Sequence, residues 1–349
     1  MTLKIGSVHI GQGHAPFIIA EMSGNHNHSL DKALQIVRAA KRSGASAIKL
    51  QTYLPKTLTI NVHKNDFLVD DKNSLWKGNY LYELYESAFT PWEWHEPIFE
   101  EAKKLGLLYF SSAFDETSVD FLESLDVPAY KVASFENSHL PLIKKIAQTG
   151  KPMIISTGMA TLNEIEESVN CARENGCKDL VLLKCTSNYP ANPKSANLLT
   201  MNDLRTKFSC EVGLSDHTLG VGVSVAAVAL GATVIEKHLT LTEEDSGVDS
   251  EFSMSEREMT QLVLECNNAH SATGQVNYGA TPEEIPSLKF RRSIYAIQDI
   301  EIGDEFSTFN IGIIRPGYGL HPRYFSELIG KKSKLKVEKG DRIDERFLD

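Results

Sequence analysis

The sequence predicts an α/β fold, a parallel (β/α)8 TIM barrel followed by a small, mostly-β domain. Eight apolar, β-branched runs alternate with amphipathic helical stretches between about residues 17 and 270, as in a sheet covered by helices. Nearly every run ends in polar residues, which is where a barrel of this kind carries its chemistry. Beyond Ala272 the helical patterning gives way to short strands and turns.

The strand runs are 17–21, 47–51, 107–111, 129–134, 152–157, 179–185, 211–217 and 232–238. Helical stretches between them include 31–42, 91–105, 140–148, 162–174 and 220–230. An open doubly wound sheet is the competing architecture. It would show a nucleotide fingerprint after the first strand, and Ala20-Glu21-Met22-Ser23-Gly24-Asn25 is not one. Residues 2–14 read as a small hairpin suited to plugging the barrel bottom. The long segment 56–87 holds Trp76-Lys77-Gly78-Asn79 and three tyrosines, and reads as a cover over the mouth. The expected division is a barrel with its hairpin over 1–273, a linker over 274–290 with Pro282 and Pro286, and the small domain over 291–349. That last domain carries related turns at Ile302-Gly303-Asp304 and Lys339-Gly340-Asp341. It is near the lower size limit for independent stability, so it is expected to pack on its own barrel or on a partner subunit.

A chain of 349 residues with 42% hydrophobic content suits one large core and an appendage. A formal charge of −10 disfavours nucleic acid and anionic membranes as partners. No run approaches the roughly 18 apolar residues of a membrane span, and Met1-Thr2-Leu3-Lys4-Ile5-Gly6 lacks the pattern of a secretory signal. Cys171, Cys177, Cys185, Cys210 and Cys266 are odd in number and lack paired metal spacing, so they read as reduced thiols of a cytoplasmic protein.

Two histidines end apolar runs, in Gly213-Leu214-Ser215-Asp216-His217 and Val234-Ile235-Glu236-Lys237-His238. Strand side chains alternate faces, so Ser215 shares a side with His217, and Glu236 with His238. On neighbouring strands both imidazoles meet at one mouth, able to hold a divalent metal with coordination positions left open. One such histidine is ordinarily structural; two at matched depth point to a metal site. The other ends supply Glu21 with Asn25 and His26, Lys49 with Gln51, Ser111 with Ser112 and Asp115, and Lys131 with Ser134 and Glu136. They continue with Ser156-Thr157-Gly158 and Thr186-Ser187-Asn188-Tyr189. Singly, a lysine here snorkels and a Ser-Thr-Gly turn caps a helix. Together, unpaired buried charges are costly enough that ligands are the natural explanation. Two lysines with hydroxyls and backbone amides describe a phosphate-and-carboxylate pocket, and two histidines a metal that polarises a carbonyl. The chemistry suggested is a carbon–carbon bond-forming condensation.

The segments Ala20-Glu21 with Asn25-His26, Lys49-Leu50-Gln51-Thr52, Phe110-Ser111-Ser112 and Tyr130-Lys131 resemble the nonulosonic (sialic) acid synthases. So do Ser156-Thr157-Gly158-Met159, Gly213-Leu214-Ser215-Asp216-His217-Thr218 and Glu236-Lys237-His238. The likeness spans essentially the whole chain, and the tail resembles that family's antifreeze-like (SAF) domain. It implies condensation of phosphoenolpyruvate with an open-chain N-acylated aldose, releasing phosphate. It implies a divalent metal on His217 and His238, Mn2+ foremost, with Mg2+ or Co2+ as alternatives. The residues matching Lys49, Ser112, Lys131, Ser134, Ser156, Ser187 and Ser215 are implied to bind phosphoenolpyruvate. Those matching Gln51, Glu136, Tyr189 and Asp249 are implied to face the sugar, and Glu21 is the candidate for handling protons. The residue matching Arg315, in Ile314-Arg315-Pro316-Gly317, is implied to reach the sugar from the SAF domain of the other subunit, which makes a domain-swapped homodimer.

Within the family, Tyr130-Lys131-Val132-Ala133-Ser134-Phe135-Glu136, Thr90-Pro91-Trp92-Glu93-Trp94-His95 and Gly247-Val248-Asp249-Ser250-Glu251-Phe252-Ser253-Met254 resemble the pseudaminic acid-forming branch. A bulky Phe135 suits a 6-deoxy, diacetamido sugar, whose methyl replaces a hydroxyl. Ser112 and Ser187 depart from the threonine and asparagine common in neuraminate enzymes, so hydrogen bonds there are redistributed. Formation of N-acetylneuraminate or legionaminate is the nearest alternative. A metal-dependent aldolase or hydrolase on the same fold is a second. A carbohydrate- or ice-binding module, suggested by the tail alone, has no need of these titratable groups.

Overall fold

Side chains of alternating direction, apolar on both faces, make the runs into strands buried from two sides. A computed structural model describes residues 2–72, 74–242 and 247–348, in two compact units, 1–274 and 275–349. In the first, β1 (Thr2–Ile5) and β2 (Val8–Gly11) form an antiparallel hairpin. Eight strands follow: β3 (Phe17–Glu21), β4 (Ala47–Thr52), β5 (Leu108–Ala113), β6 (Tyr130–Val132), β7 (Met153–Ser156), β8 (Leu180–Cys185), β9 (Glu211–Ser215) and β10 (Val234–His238). They close in chain order into a parallel barrel, β10 returning against β3. The (β/α)8 expectation holds. The fourth run is shorter than expected: Ser134–Glu136 is a 3-10 turn rather than strand. The ladder with β5 ends at Lys131 and that with β7 at Val132, so the chain beyond has no strand partner to keep it extended.

Helices α1 (Leu30–Arg42), α2 (Pro55–Leu58), α3 (Leu81–Ala88), α4 (His95–Lys104) and α5 (Glu116–Ser124) connect the first strands. They are followed by α6 (Leu140–Gln148), α7 (Leu162–Glu174), α8 (Thr200–Phe208), α9 (Gly222–Ala229) and α10 (Glu256–Thr273). Several start on side-chain caps. Asp115 accepts from the Thr117 and Ser118 amides, and Thr161 with Glu164 and Ser255 with Glu258 form reciprocal boxes. The stretch expected as one helix over 91–105 begins as a 3-10 turn, Trp92–Trp94, before α4.

The period-two alternation sorts the core. Ile18, Ile48, Leu50, Val132, Ile155, Leu182, Leu214 and Ile235 face the helices. Phe17, Ile19, Ala47, Phe110, Ile154, Val181, Leu183 and Val234 fill the barrel, where Leu3, Ile5 and Ile10 of the hairpin join them. The hairpin thus plugs the lower end. Gly213 takes an inward position of β9, where a Cβ would run into the Val234 carbonyl and Leu183, so glycine lets β9 and β10 close up. Above the apolar layer the inward positions turn polar on nearly every strand, and that change builds the site.

The second unit pairs β11 (Ser293–Ala296) with β12 (Ile311–Ile314) and adds a short helix, α11 (Phe325–Leu328). Its own core gathers Ile294, Ile300, Phe306, Ile311, Leu328, Val337, Ile343 and Phe347. Among the described residues, no helix is long and apolar enough to cross a membrane.

Candidate active site

Four charges sit at the upper end of the barrel, each on an inward position next above an apolar one. Lys49 Nζ on β4 lies 2.5 Å from Glu21 Oε2 on β3 and 3.8 Å from Glu236 Oε2 on β10, and donates to Ser112 Oγ at 3.0 Å. Lys131 Nζ on β6 donates to Glu236 Oε1 at 3.1 Å, and that oxygen also accepts from Ser215 Oγ at 3.1 Å. None of the four side chains exceeds 5% exposure, so neither lysine snorkels. Burial pushes the Glu21 carboxyl above its ordinary range against the pull of Lys49. Burial acts on Glu236 too, but Lys131 and Lys49 outweigh it and hold that carboxylate low. Burial lowers Lys131, whereas Lys49, equally buried, is raised by Glu21 and Glu236. Glu21 is therefore the carboxyl closer to taking a proton. The sequence places Glu236 on the same side as His238 but assigns it no role; the structure makes it the partner of both lysines.

Above this square lies a polar rim. Ser187 Oγ donates to Ser134 Oγ at 2.8 Å, while Ser156 Oγ and Glu136 Oε2 are buried without a hydrogen-bond partner. Burial raises the Glu136 carboxyl to about 7. Gln51 Nε2 donates to Ser23 Oγ at 3.0 Å, and Ser23 in turn donates to the Asp249 carboxylate, which burial raises. Ser23, a residue not foreseen, thus ties β4 to the loop after β10. Asn25 and His26 turn to the scaffold: Asn25 Nδ2 donates to Leu239 O and Ser253 Oγ, and His26 pairs with Thr90.

An aromatic wall closes one side. The Tyr189 ring centroid is 4.5 Å from His217, and that of Phe252 is 4.8 Å from His238. Trp76, from the long segment after β4, packs 5.5 Å from Tyr189 and donates its Nε1–H to Val248 O at 3.1 Å. The long segment does lie over the mouth. Phe252 was not singled out from the sequence, because an isolated phenylalanine in a loop carries no chemical signal. Arg315 belongs to the second unit, exposed just beyond β12.

The two imidazoles meet edge to face, ring centroids 5.3 Å apart. His217 Nδ1 lies 2.9 Å from Thr186 O, which makes it the donor and leaves the lone pair on Nε2. His238 Nδ1 is buried without a partner, and burial, followed by His217, Lys49, Lys131 and Lys237, holds this histidine well below its usual range and neutral. His217 moves the other way: against its burial, Cys185 and the Thr186 carbonyl raise it. An imidazole held neutral with Nδ1 unengaged, beside a second whose Nδ1 is held by a carbonyl, is a pair that fits a divalent metal. Among the described residues no three His, Cys, Asp or Glu side chains converge into a closed metal cage.

The chain matches the NeuB family over residues 36–278 and the SAF domain over residues 291–345. It is 45% identical to pseudaminic acid synthase of Campylobacter jejuni, covering 94% of this chain and 95% of that protein. It is 41% identical to pseudaminic acid synthase of Helicobacter pylori, covering 91% and 93%. Among solved structures it resembles an N-acetylneuraminic acid (sialic acid) synthetase from Leptospira borgpetersenii, with a TM-score of 0.73 and 28% identity over 83% of this chain and 96% of that one. Barrel and tail match in the same order along the chain, and the protein belongs to the NeuB family, with a SAF domain at its C-terminal side.

Proposed function

We propose that this protein is an enzyme condensing phosphoenolpyruvate with 2,4-diacetamido-2,4,6-trideoxy-L-altrose and water, to give pseudaminic acid and phosphate. The observation that carries the reading is the buried pair Lys49 and Lys131 facing His217 and His238 at one barrel mouth, in a chain whose relatives are pseudaminic acid synthases.

In the reaction, C3 of phosphoenolpyruvate attacks the sugar aldehyde carbon, and the C–C bond forms as the carbonyl π bond opens. The aldehyde oxygen becomes a hydroxyl with a proton that the water supplies, the water's second proton leaving with phosphate. C2 becomes cation-like and takes up water, which loses a proton. Phosphate then departs with cleavage of the C2–O bond, leaving the keto group. Lys49 and Lys131 hold the phosphate and carboxylate, with Ser112, Ser134 and Ser156 donating hydrogen bonds, while Ser187 and Ser215, which donate to Ser134 and Glu236 before substrate enters, turn to it. Ser156 Oγ, without a protein partner, has its hydrogen free for such an anion. Glu21, with its raised carboxyl, takes the proton of the attacking water. Gln51, Glu136, Tyr189 and Asp249 face the sugar. A divalent metal on His217 and His238, Mn2+ foremost with Mg2+ or Co2+ as alternatives, supplies Lewis acidity toward the sugar carbonyl. Arg315 completes the site from the SAF domain of a partner subunit in a domain-swapped homodimer, and the reaction takes place in the cytoplasm.

Phe135, 61% exposed beside Glu136, favours a sugar that presents a methyl group there. Formation of N-acetylneuraminate or legionaminate is the alternative. Purified protein given phosphoenolpyruvate and each candidate sugar in turn decides, by phosphate release and product mass. Release only with the trideoxy altrose is the expected result; release with N-acetylmannosamine instead would reassign the substrate.

A further inference from the structure

Behind the two histidines, on the outer face of the same strand ends, lies a second ion pair that the reaction does not touch. Ser215 and His217 flank Asp216, and Glu236 and His238 flank Lys237, so alternation turns Asp216 and Lys237 away from the mouth. The register sets Glu236 opposite Ser215, and the Asp216 amide donates to Glu236 O at 2.9 Å, which brings the next two residues side by side. Lys237 Nζ is 2.8 Å from Asp216 Oδ2, with both side chains no more than 1% exposed.

Both members of the pair make further hydrogen bonds. Asp216 Oδ2 also accepts from Ser224 Oγ on α9 at 2.6 Å, and Oδ1 accepts from the Thr218 amide at 2.9 Å. Lys237 Nζ donates to Thr218 O at 2.5 Å. His217 is therefore bracketed, with Asp216 on one side and Thr218 on the other fastened to the same two charges. The backbone carbonyls of the histidines bond elsewhere, His217 O to the Ala191 amide and His238 O to the Met254 amide. The side-chain pair links the two strand ends directly to each other.

A buried ion pair is a poor stabiliser, since apolar residues of similar volume often do as well or better. Its distinguishing property is direction: these hydrogen bonds fit one arrangement of the strand ends, whereas apolar contacts tolerate sliding. We propose that Asp216 and Lys237 are positioning residues, whose buried pair fixes the separation and orientation of His217 and His238 and so sets the affinity for a divalent metal. This rests on the reading that those histidines hold the metal.

The test is direct Mn2+ binding to metal-stripped full-length protein, followed by the electron paramagnetic resonance signal of free Mn2+, with thermal melting measured alongside. The proteins compared are the wild type, a His217→Ala/His238→Ala variant and an Asp216→Asn/Lys237→Met variant. The expected result is loss of binding in the histidine variant. In the second variant, binding weakens about 10- to 100-fold, the usual effect of groups that orient metal ligands, at a melting temperature close to wild type. Wild-type Mn2+ affinity in the Asp216→Asn/Lys237→Met protein, with the histidine variant unable to bind, overturns the positioning role alone. Undiminished binding in the histidine variant overturns the metal site and the inference with it. Should the charge-pair variant fail to fold, Ser224→Ala decides, since it removes one hydrogen bond to Asp216 and leaves both charges paired. A several-fold weaker Mn2+ affinity there supports the role, and an unchanged one overturns it.

Discussion

Lys131 Nζ lies 3.1 Å from Glu236 Oε1, and water reaches neither side chain to any extent. A lysine suited to an anionic substrate thus already has a carboxylate partner. Glu236 is also within 3.8 Å of Lys49, so one carboxylate serves both cations. A lone buried ammonium would lose its proton more readily, and burial does push Lys131 down while Glu236 pulls it back. The carboxylate favours the charged form of both lysines, the form that phosphoenolpyruvate requires.

Lys131→Ala and Lys49→Ala are each expected to raise the KM for phosphoenolpyruvate at least about tenfold, because each removes a charge-assisted contact to an anion. Lys131→Ala should also cost about 3–5 kcal/mol of stability, since it leaves Glu236 short of a partner. Adding Glu236→Gln should return much of the melting temperature but none of the substrate affinity. Steady-state titration and thermal melts check this; normal phosphoenolpyruvate affinity in both lysine variants would contradict the pocket.

His217→Ala and His238→Ala should each lower turnover by orders of magnitude, the scale of Lewis-acid assistance, while melting near wild type. Chelation should reproduce either variant, and added Mn2+ should rescue only the chelated wild type. Full activity after exhaustive chelation would remove the metal from the mechanism.

Glu136 gives a pH signature. Burial raises its carboxyl from 4.5 to about 7, so the folded chain binds this proton more tightly than the unfolded one. The stability gained from protonation is complete below the unfolded value and is lost as pH rises through about 7. Glu136→Gln should melt above wild type at about pH 8 and close to it near pH 4.5, a gap of up to about 3 kcal/mol. A gap that does not change with pH would mean that the carboxyl titrates normally.

Arg315 is tested by mixing inactive subunits. If it acts across a two-fold interface, a His217→Ala chain paired with an Arg315→Ala chain has one site with both lesions and one with neither. Activity should return to about half of wild type per heterodimer. A mixture that stays inactive after verified subunit exchange would place Arg315 in its own chain's site or in none.

Local patterns made much of this legible. Period-two alternation placed Ser215 with His217 and Glu236 with His238, and the histidine-bearing strands are indeed neighbours. The polar ends of β3, β4 and β6 converge as expected because closure brings every strand end to one rim. Pairings across long stretches of chain were not legible. Lys131 and Glu236 are 105 residues apart, and nothing near either one shows that a single carboxylate is shared by both lysines. The turn at Ser134–Glu136 was missed for a related reason: Val132-Ala133 looks like continuing strand, and only the early end of the neighbouring ladders shows why it stops. Asp216 and Lys237 were read merely as members of histidine motifs, since their partnership depends on the register between β9 and β10.

With Leu3, Ile5 and Ile10 packed into the lower end, substrates are expected to enter the barrel from its mouth. Lys49 sits one inward step below Gln51 on the same strand, and Lys131 precedes the turn that carries Glu136. On the proposed assignments, the end of phosphoenolpyruvate held by Lys49 and Lys131 takes the inner berth, its other end shares the rim with Ser134, Ser156 and Ser187, and the sugar lies farther out. Whatever occupies the inner berth must arrive before its neighbour and can leave only once that neighbour has gone. Turnover is then expected to follow a compulsory order, with phosphoenolpyruvate first in and phosphate last out, and product-inhibition kinetics check it. Added phosphate competes with phosphoenolpyruvate and not with the sugar.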